Sequence, residues 1–487
     1  PAVSQICRQL DGLPLALELA AARTRHMPVE TIAARLKDRF GFLTGGNYEA
    51  PRQQRLRATL DWSYTLLSEP ERAAFRRLAV FAGGFTLQAA EDIVGEPGET
   101  HAGEPSTVDL LAQLIDKSLV LAEQRPEGLR YRLLETMRAY AHEQLLQSAE
   151  IGAVGARHMA HFLHLAEQAE AQLVGDKQIA WLETLVAEHA NVRAAIDWAT
   201  ERGGVVAALR LVTALRYFWR VRGYYAEGID LLRGLLKHPS AAERTTVRAR
   251  ALNAAGYLEF VRGQQARARE LLDDALSIGR ALGNRPVVAF ALRYLSALAN
   301  AQHSHAEARA YGEESLALYR SLGATNDIAG SSMYLGDIAL AQGDDDRAEA
   351  LYAESVAILR MQHNSISLPY PLRHLGYLAL RRGQPDEAAA LCEESLQLNS
   401  AVSDQQGVAA CLVGLAASAA ATGRFERAAH LLGHAEALLE ALQTRLLPYD
   451  RTQHERVRDT VREELGDPAF AATFAVGRAM TIAQLLA

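Results

Sequence analysis

The chain has 487 residues, of which 49% are hydrophobic and 22% are charged, and it carries a formal net charge of −7. This length predicts two to four globular domains, and the negative charge excludes a molecule-wide field that attracts nucleic acid. Cys7, Cys392 and Cys411 form no close pair and no CxxC motif. Their spacing argues against a disulfide framework or a structural zinc site, and it favours a reducing cytoplasm.

The opening residues predict a helix that stops at Asp11-Gly12, because glycine suits a helix C-terminus. A second helix is predicted to begin near Pro14, since proline has no N–H to leave unsatisfied in a first helical turn. The apolar run around it contains Glu18 and is too short to cross a bilayer, so we expect no membrane partner. The sequence begins with Pro1 rather than methionine, and we expect a piece of a longer protein.

The segment GLPLALELAAAR, residues 12–23, resembles the GLPLA segment of the STAND, or NB-ARC, signal-transduction ATPases. In that family it begins the helical subdomain after the nucleotide-binding domain, and its proline packs on the adenine. The resemblance implies that residues 1–50 are a truncated helical subdomain and that Pro14 is a cofactor-binding residue. It also implies an upstream nucleotide-binding domain that holds ADP or ATP in the intact parent. The sequence contains no GxxxxGK[ST] motif, so we expect this chain to hold no cofactor and to be no enzyme.

Residues 51–150 are predicted to form a winged-helix domain. Ser68 and Glu71 have the spacing of a capping box, with Pro70 in the first helical turn. The segment LVLAEQRPEGLRYRLL predicts two strands around a Pro/Gly turn. The predicted helices lie at about 70–82, 87–94, 107–118 and 135–148. Helices followed by a hairpin and a closing helix are the order of a winged helix.

Two stretches of this domain, LDWSYTLLSEPERAAFRRLAVFAGGFT and RYRLLETMRAYAHEQL, resemble a group of bacterial regulators. Those proteins place a STAND-type ATPase before tetratricopeptide-like repeats, and many carry a DNA-binding domain at one end. The resemblance implies a winged-helix subdomain of that family, with DNA bound only through a domain outside this chain.

One motif of the family is altered. Many members begin the last winged-helix helix with Met-His-Asp, whose histidine touches the phosphate of the bound nucleotide. The corresponding residues here are Leu133, Leu134 and Glu135, so the histidine contact is absent. The sequence leaves open whether nucleotide sensing survives with Leu134 in this place.

Residues 151–204 are predicted to be a helical connector. The connector contains His158, His161 and His164. Helical spacing brings at most two of them onto one face, and no carboxylate at suitable spacing completes a ligand set. We therefore expect no metal site.

Residues 205–443 repeat with a period of 40. Turn residues and small residues recur on this register, as in Gly223, Gly263, Gly343, Gly383 and Gly423, with His303 at the missing step, and in Ala268, Ala308, Ala348, Ala388 and Ala428. Small side chains at fixed spacing let paired helices approach closely. The pattern resembles the tetratricopeptide repeat, whose usual period is ~34 residues. We expect longer second helices and their loops to absorb the difference.

In repeats of this kind, the first helix of each unit lines the concave side, which binds partners. The corresponding positions vary from unit to unit, and they predict a groove for a protein, peptide or small-molecule effector. The predicted groove residues are Arg250, Asn253, Tyr257, Arg293, Met333, Asp337, Tyr370, Arg373 and Tyr377. Residues 444–487 are predicted to form a C-terminal helical cap.

The sequence thus predicts a mainly α protein, with a winged-helix domain followed by a right-handed α-α superhelix of tetratricopeptide-like repeats. The preferred function is the regulatory and sensor portion of a STAND-type transcriptional regulator. No catalytic arrangement is visible. Two alternatives remain open, a repeat scaffold without a nucleotide switch and a winged-helix DNA-binding protein; the net charge of −7 weighs against the second.

Overall fold

The computed structural model describes residues 2–9, 24, 28–35, 57, 60–61, 63–95, 105–125 and 128–486. The chain divides into two compact units, one formed by Pro1–His164 and Val186–Arg202, the other by Leu165–Leu185 and Gly203–Ala487. Pro14, the predicted cofactor-binding residue, lies outside the described residues.

The first unit contains helices and one hairpin. In chain order they are α1 (Ala2–Gln9), α2 (Val29–Arg35), α3 (Glu69–Arg77), α4 (Leu87–Val94), α5 (Thr107–Asp116), β1 (Leu121–Arg125), β2 (Gly128–Arg132) and α6 (Glu135–Gln147). Two long helices, α7 (Ile151–Gln172) and α8 (Gln178–Glu201), contribute residues to both units.

The capping box predicted at the start of α3 is present. Glu71 accepts a hydrogen bond from the backbone N–H of Ser68 at 2.7 Å. The antiparallel hairpin pairs Leu121 with Arg132. Phe85 adds two backbone hydrogen bonds to Tyr131 of β2, at 2.8 and 2.9 Å. Helices with a hairpin that is extended at its edge form the predicted winged helix.

A buried polar network holds the Gly83-Gly84 turn between α3 and α4. The side-chain oxygen of Asn191 accepts hydrogen bonds from the backbone N–H groups of Ala82 and Gly83, at 2.9 and 3.2 Å. The carbonyl oxygen of Gly84 accepts from Arg130 at 2.7 Å, and Arg130 also pairs with Glu188 at 2.6 Å. The turn and the hairpin are therefore fixed to the same stretch of α8.

The second unit is a stack of helices. They are α9 (Val205–Ala214), α10 (Arg216–Val221), α11 (Tyr225–Lys237), α12 (Thr246–Val261), α13 (Gln265–Ala281), α14 (Arg285–Ala301), α15 (His305–Leu322), α16 (Thr325–Ala341), α17 (Asp345–Met361), α18 (Pro369–Arg381), α19 (Pro385–Ala401), α20 (Gln405–Ala421), α21 (Phe425–Ala441), α22 (Pro448–Leu465), α23 (Asp467–Ala479) and α24 (Ile482–Leu486). Their succession of helix pairs is the predicted superhelix of tetratricopeptide-like repeats.

Close packing explains the small residues of the register. Ala268, Ala308, Ala348, Ala388 and Ala428 are all 0% exposed. A Cβ added to the glycine at position 256 would lie 2.8 Å from Leu272, and one at Gly336 would lie 2.5 Å from Tyr352. A side chain at either glycine would thus collide with the paired helix, which restricts these positions to small residues.

The turns follow the same period because each needs one residue with left-handed backbone. The turn glycines 223, 263, 343, 383 and 423 have φ between 73° and 86°, and His303 takes φ 60° at the missing step. A second left-handed position recurs twenty residues later, at Gly283, Gly323, His363, Ser403 and Gln443.

The sequence predicted that longer second helices and their loops account for the period of 40, but both helices of a unit are long. The first helix α14 has 17 residues and its partner α15 has 18, so the added length is not confined to second helices. The turns between helices are short instead, since α15 begins three residues after Gln302.

An ion-pair ladder follows the register on the outer surface. Arg280 pairs with Glu314 at 3.2 Å, Arg320 with Glu354 at 2.9 Å, and Arg360 with Glu394 at 2.8 Å. Each arginine binds a glutamate 34 residues later, in the second helix of the next unit. Because these pairs are exposed, each contributes at most about 1 kcal/mol.

The two ends of the repeat array meet. Arg220 of α10 forms a buried ion pair with Asp404 at the start of α20, at 2.8 Å. Gln406 donates a hydrogen bond to the carbonyl of Val261 at 3.0 Å, and Tyr225 donates to Gln406 at 3.3 Å. The concave side of the array is therefore closed, with the first and last units in contact.

Candidate ligand-binding cavity

A cavity of about 330 Å³ lies inside the closed array. Its walls come from the end of α7 and from α10, α12, α14, α16, α17 and α18. The lining includes Glu170, Arg216, Tyr217, Arg220, Tyr257, Arg293, Tyr294, Asp327, Met333, Tyr334, Ser355 and Tyr370.

Three arginines line this cavity, each with one carboxylate partner. Arg216 pairs with Glu170, Arg220 with Asp404, and Arg293 with Asp327 at 2.9 Å. Burial alone would raise the pKa of Glu170, but the charges of Arg216 and Arg250 outweigh it and hold that pKa below its usual range. The carboxylate is therefore ionised at neutral pH.

These arginines keep unused hydrogen-bonding capacity. The Nε atoms of Arg216, Arg220 and Arg293 are buried and find no partner within the described part of the chain. A buried N–H without a partner costs free energy, and a guanidinium presents five donors in a planar fork. The cavity is thus bordered by cationic side chains that each carry an unsatisfied N–H donor.

Four tyrosines form an uncharged, aromatic part of the cavity wall. The rings of Tyr257 and Tyr294 lie 4.9 Å apart, and those of Tyr294 and Tyr334 lie 5.7 Å apart. Tyr217 meets Tyr257 edge-on at 6.1 Å. Burial raises the pKa of Tyr294 to about 12 and that of Tyr257 well above its usual value. These phenols are neutral at physiological pH and supply flat surfaces and hydroxyl donors.

Ser355 departs from its counterparts on the repeat register. Ser315 donates a hydrogen bond to the carbonyl of Ala289 at 2.9 Å, and Ser395 donates to that of Pro369 at 2.8 Å. Ser355 is equally buried and lines the cavity, but its hydroxyl has no partner among the described residues. One polar side chain of the cavity wall is therefore left unsatisfied.

Two further cavities adjoin the central one. One of about 660 Å³ shares Met333, Tyr334 and Tyr370 with it. The other, of about 370 Å³, shares Glu170 and Arg216. The concave side thus carries three adjacent hollows.

The structure distributes the predicted groove residues over these hollows. Tyr257, Arg293, Met333 and Tyr370 line the central cavity. Arg250 and Asn253 line the smaller neighbour, Asp337 the larger one, and Met333 and Tyr370 line the larger one as well.

Arg373 and Tyr377 differ from the expectation that they face a groove ligand. Both guanidinium contacts of Arg373 to Asp450 measure 2.8 Å, and Tyr377 donates to the same carboxylate at 3.2 Å. Both residues are buried and line none of the three described hollows. The physical reason is α22, which folds back and places Asp450 where a ligand was expected.

Sequence reasoning missed Arg216, Tyr217 and Arg220. Their helix, α10, has only six residues and follows a break after Ala214, so it does not look like the first helix of a unit. The sequence nevertheless indicated this helix, because Tyr217 lies one period of 40 residues before the predicted groove residue Tyr257. Extending the register one unit toward the N-terminus would have found it.

Two predicted features of the first unit also have defined places. Glu135, in the altered family motif, pairs with Arg138 at 2.6 Å. His158 is buried with its ring 4.8 Å from that of Phe162, and burial lowers its pKa to about 3.

Among the residues that the structure describes, no group of three His, Cys, Asp or Glu side chains is arranged to hold a metal ion. Within the same ranges, no helix is both long and apolar enough to cross a membrane.

Two family models match the chain. Residues 67–146 match the winged helix-turn-helix domain, and residues 369–441 match the tetratricopeptide repeat. The predicted combination of these two folds is confirmed.

Curated relatives come from mycobacteria. A Mycobacterium tuberculosis protein named "Putative HTH-type transcriptional regulator" is 43% identical over 257 residues, which cover 52% of this chain and 28% of that protein. An uncharacterized protein of the same organism is 48% identical over 161 residues, or 33% of this chain and 40% of that protein. The chain thus spans less than half the length of these relatives, and its predicted resemblance to bacterial regulators agrees with the name of the first of them.

Among solved structures, a STAND protein with a tetratricopeptide repeat sensor from Pyrococcus horikoshii aligns over 94% of this chain and 74% of its own. The TM-score is 0.47 and the sequence identity 13%.

Proposed function

We propose that this chain is the regulatory and sensor portion of a bacterial STAND-type transcriptional regulator, and that its repeat array binds an effector in the central cavity. The observation that carries the proposal is the closed array, which surrounds a cavity whose arginines and serine hold unsatisfied polar atoms. Buried polar groups are ordinarily satisfied, so such a cavity is suited to a ligand. The matched winged helix and the regulator relative support the transcriptional role.

The remaining parts of the proposal rest on the family resemblance. An upstream domain binds ADP or ATP in the intact parent, this chain is not itself an enzyme, and DNA is bound by a domain outside it. The three free cysteines support a cytoplasmic location.

The proposed mechanism is a shift of conformational populations. A ligand that fills the cavity favours the closed array, because it contacts α10 of the first unit and α18 of the fifth unit at once. A ligand shifts an equilibrium only by its differential affinity for the two states. Closing is therefore coupled to effector binding in the cavity.

The scaffold alternative is less favoured by the geometry. A scaffold needs an open concave surface for its partners, whereas the first and last units here are joined by Arg220 and Asp404. No specific observation favours the alternative in which the winged helix of this chain itself binds DNA.

The test uses the intact parent in a strain that lacks the gene. Variant Arg293→Gln removes a cavity cation, and Arg280→Gln removes an exposed arginine of the outer ladder as the control. We expect the transcript profile of Arg293→Gln to match the deletion strain and that of Arg280→Gln to match the wild type. A wild-type profile for Arg293→Gln would contradict the proposal.

The nucleotide part is tested separately. In the intact parent, Pro14→Ala is expected to weaken ADP retention while the repeats remain folded, since the resemblance places this proline on the adenine. Unchanged nucleotide content in the purified variant would contradict that assignment.

A further inference from the structure

The geometry points to a small molecule with one acidic group and a planar ring as the ligand of the central cavity. The inference deepens the proposed function and rests on it. Arg216 and Arg293 would bind the acidic group, the tyrosines would bind the ring, and Ser355 would donate a hydrogen bond.

We infer the acidic group of the ligand from the charged side chains of the cavity wall. Three arginines but only two carboxylates, Glu170 and Asp327, line the cavity. The third carboxylate, Asp404, is buried behind Arg220. The three arginines are each balanced by one carboxylate, but the cavity itself faces three guanidinium groups and only two carboxylates. Guanidinium groups bind carboxylate or phosphate with paired, charge-assisted hydrogen bonds.

An incoming acid can replace Asp327. The side chain of Arg293 is 4% exposed, whereas that of its partner Asp327 is 38% exposed. The cation thus lies inside the cavity and the carboxylate at its edge. Asp327 can turn into water at little cost when a ligand takes its place, because an exposed carboxylate stays hydrated.

The ring follows from the tyrosine wall. Tyr217, Tyr257, Tyr294 and Tyr334 succeed one another with ring centroids 4.9 to 6.1 Å apart. A planar group placed against them gains stacking contacts that an aliphatic chain lacks. Their neutral hydroxyls add donors but no negative charge that would repel an acid.

Ser355 supplies a neutral donor in the same wall. On the repeat register its counterparts use their hydroxyls for backbone carbonyls, while this hydroxyl is left unpaired within the described residues. A ligand oxygen would satisfy it. The variant Ser355→Ala therefore removes a ligand contact without removing a contact of the fold.

Size and enclosure favour a small molecule over a peptide. A cavity of about 330 Å³ is at the lower end of small-molecule sites. It is partly enclosed, and two of its lining residues are fixed by buried partners, Arg220 by Asp404 and Asn364 by Gln178, which donates to it at 2.8 Å. An acidic peptide that fits only an open groove is the competing outcome of the test.

The test is calorimetric titration of the full chain with matched probes. Benzoate and phenyl phosphate carry the acid on a ring, benzamide is the neutral match, benzylamine the basic one, and a tetra-aspartate peptide represents an acidic peptide. We expect at least one of the two acids to bind with a Kd about tenfold lower than that of benzamide. The acid that binds more tightly distinguishes carboxylate from phosphate.

Variants locate the binding. Arg293→Gln and Ser355→Ala are expected to weaken binding of the acid. For Arg293→Gln, the Kd should rise about tenfold or more. Arg280→Gln on the outer ladder and Ser315→Ala, whose hydroxyl serves the fold, are the matched controls and should retain it. Circular dichroism shows that each variant is folded.

Four results would overturn the inference. They are binding of benzamide as tight as that of both acids, acid binding that survives Arg293→Gln, binding of the peptide alone, and no acid binding at millimolar concentration. If the acids fail while Arg293→Gln still abolishes the transcriptional response of the parent, the ligand class falls and the proposed function stands. If the acids fail to bind and Arg293→Gln also leaves the transcriptional response intact, both the ligand class and the proposed function are wrong.

Discussion

Arg220 and Asp404 are 184 positions apart in the sequence, yet they form an ion pair of 2.8 Å in which both side chains are almost fully buried. The pair joins the first unit of the repeat array to its last. Arg220 also lies over the ring of Tyr370, with 5.4 Å between the guanidinium carbon and the ring centroid. The ion pair thus joins the first and last units beside the partly enclosed central cavity.

Breaking this pair on one side should destabilise the array. Asp404→Asn leaves a buried guanidinium without its counter-charge, and we expect a loss of about 3–5 kcal/mol in the free energy of unfolding. The double variant Arg220→Met/Asp404→Asn should recover most of that loss, since no charge is then buried alone and asparagine can still accept the hydrogen bond from the backbone N–H of Gly407. Urea denaturation of the three proteins provides the comparison. Equal stability of Asp404→Asn and the wild type would show that the pair does not hold the ends together.

The helix pairing is tested at Ala348, which is completely buried between paired helices. Ala348→Leu should overpack this junction and cost ~1–3 kcal/mol. Arg347→Leu, one residue earlier and exposed, should change stability by at most ~0.5 kcal/mol. In repeat proteins the damage stays near the altered unit, so hydrogen exchange should rise first in α16 to α19. If both variants are equally mild, the 40-residue register is wrong.

The winged-helix unit depends on the buried pair of Arg130 and Glu188. Glu188→Ala leaves Arg130 buried without a counter-charge and should cost about 3–5 kcal/mol. The control is Glu123→Ala, which removes an exposed partner of Arg132 and should cost about 1 kcal/mol or less. Faster hydrogen exchange at the Gly83-Gly84 turn and in β2 is expected for the first variant alone. The same exchange pattern in both variants would contradict the role of the network.

Acid should destabilise the first unit through His158. Burial, with a smaller effect of His161, lowers the pKa of His158 from the ordinary 6.5 to about 3. Between these two values the unfolded chain binds a proton that the folded chain does not. Stability is therefore complete above pH 6.5 and falls as the pH decreases toward 3, with a slope of up to about 1.4 kcal/mol per pH unit.

His158→Phe keeps a ring beside Phe162 and removes the titrating group. We expect a flatter pH dependence for it, measured by hydrogen exchange of α4 between pH 7 and pH 5. His142, whose pKa burial also lowers, should retain part of the slope. An unchanged slope would place the acid sensitivity elsewhere.

The sequence revealed the parts of the fold that short-range physics determines. Left-handed turns require glycine or a tolerant substitute, and junctions between helices require small residues, so Gly343 and Ala348 mark the register directly. Closure was not predictable, since the meeting of Arg220 with Asp404 depends on curvature accumulated over the whole array. The burial of Arg373 was likewise hidden, because its partner Asp450 lies 77 residues further along.

The central claim is that the closed array holds a small acid against its arginines. The most direct measurement is a crystal structure of the full chain grown with whichever probe acid binds more tightly. We expect density for the acidic group within hydrogen-bond distance of the guanidinium of Arg293 and the hydroxyl of Ser355, with Asp327 turned toward solvent. An empty cavity, or an acid bound elsewhere with the Arg293–Asp327 pair intact, would contradict it.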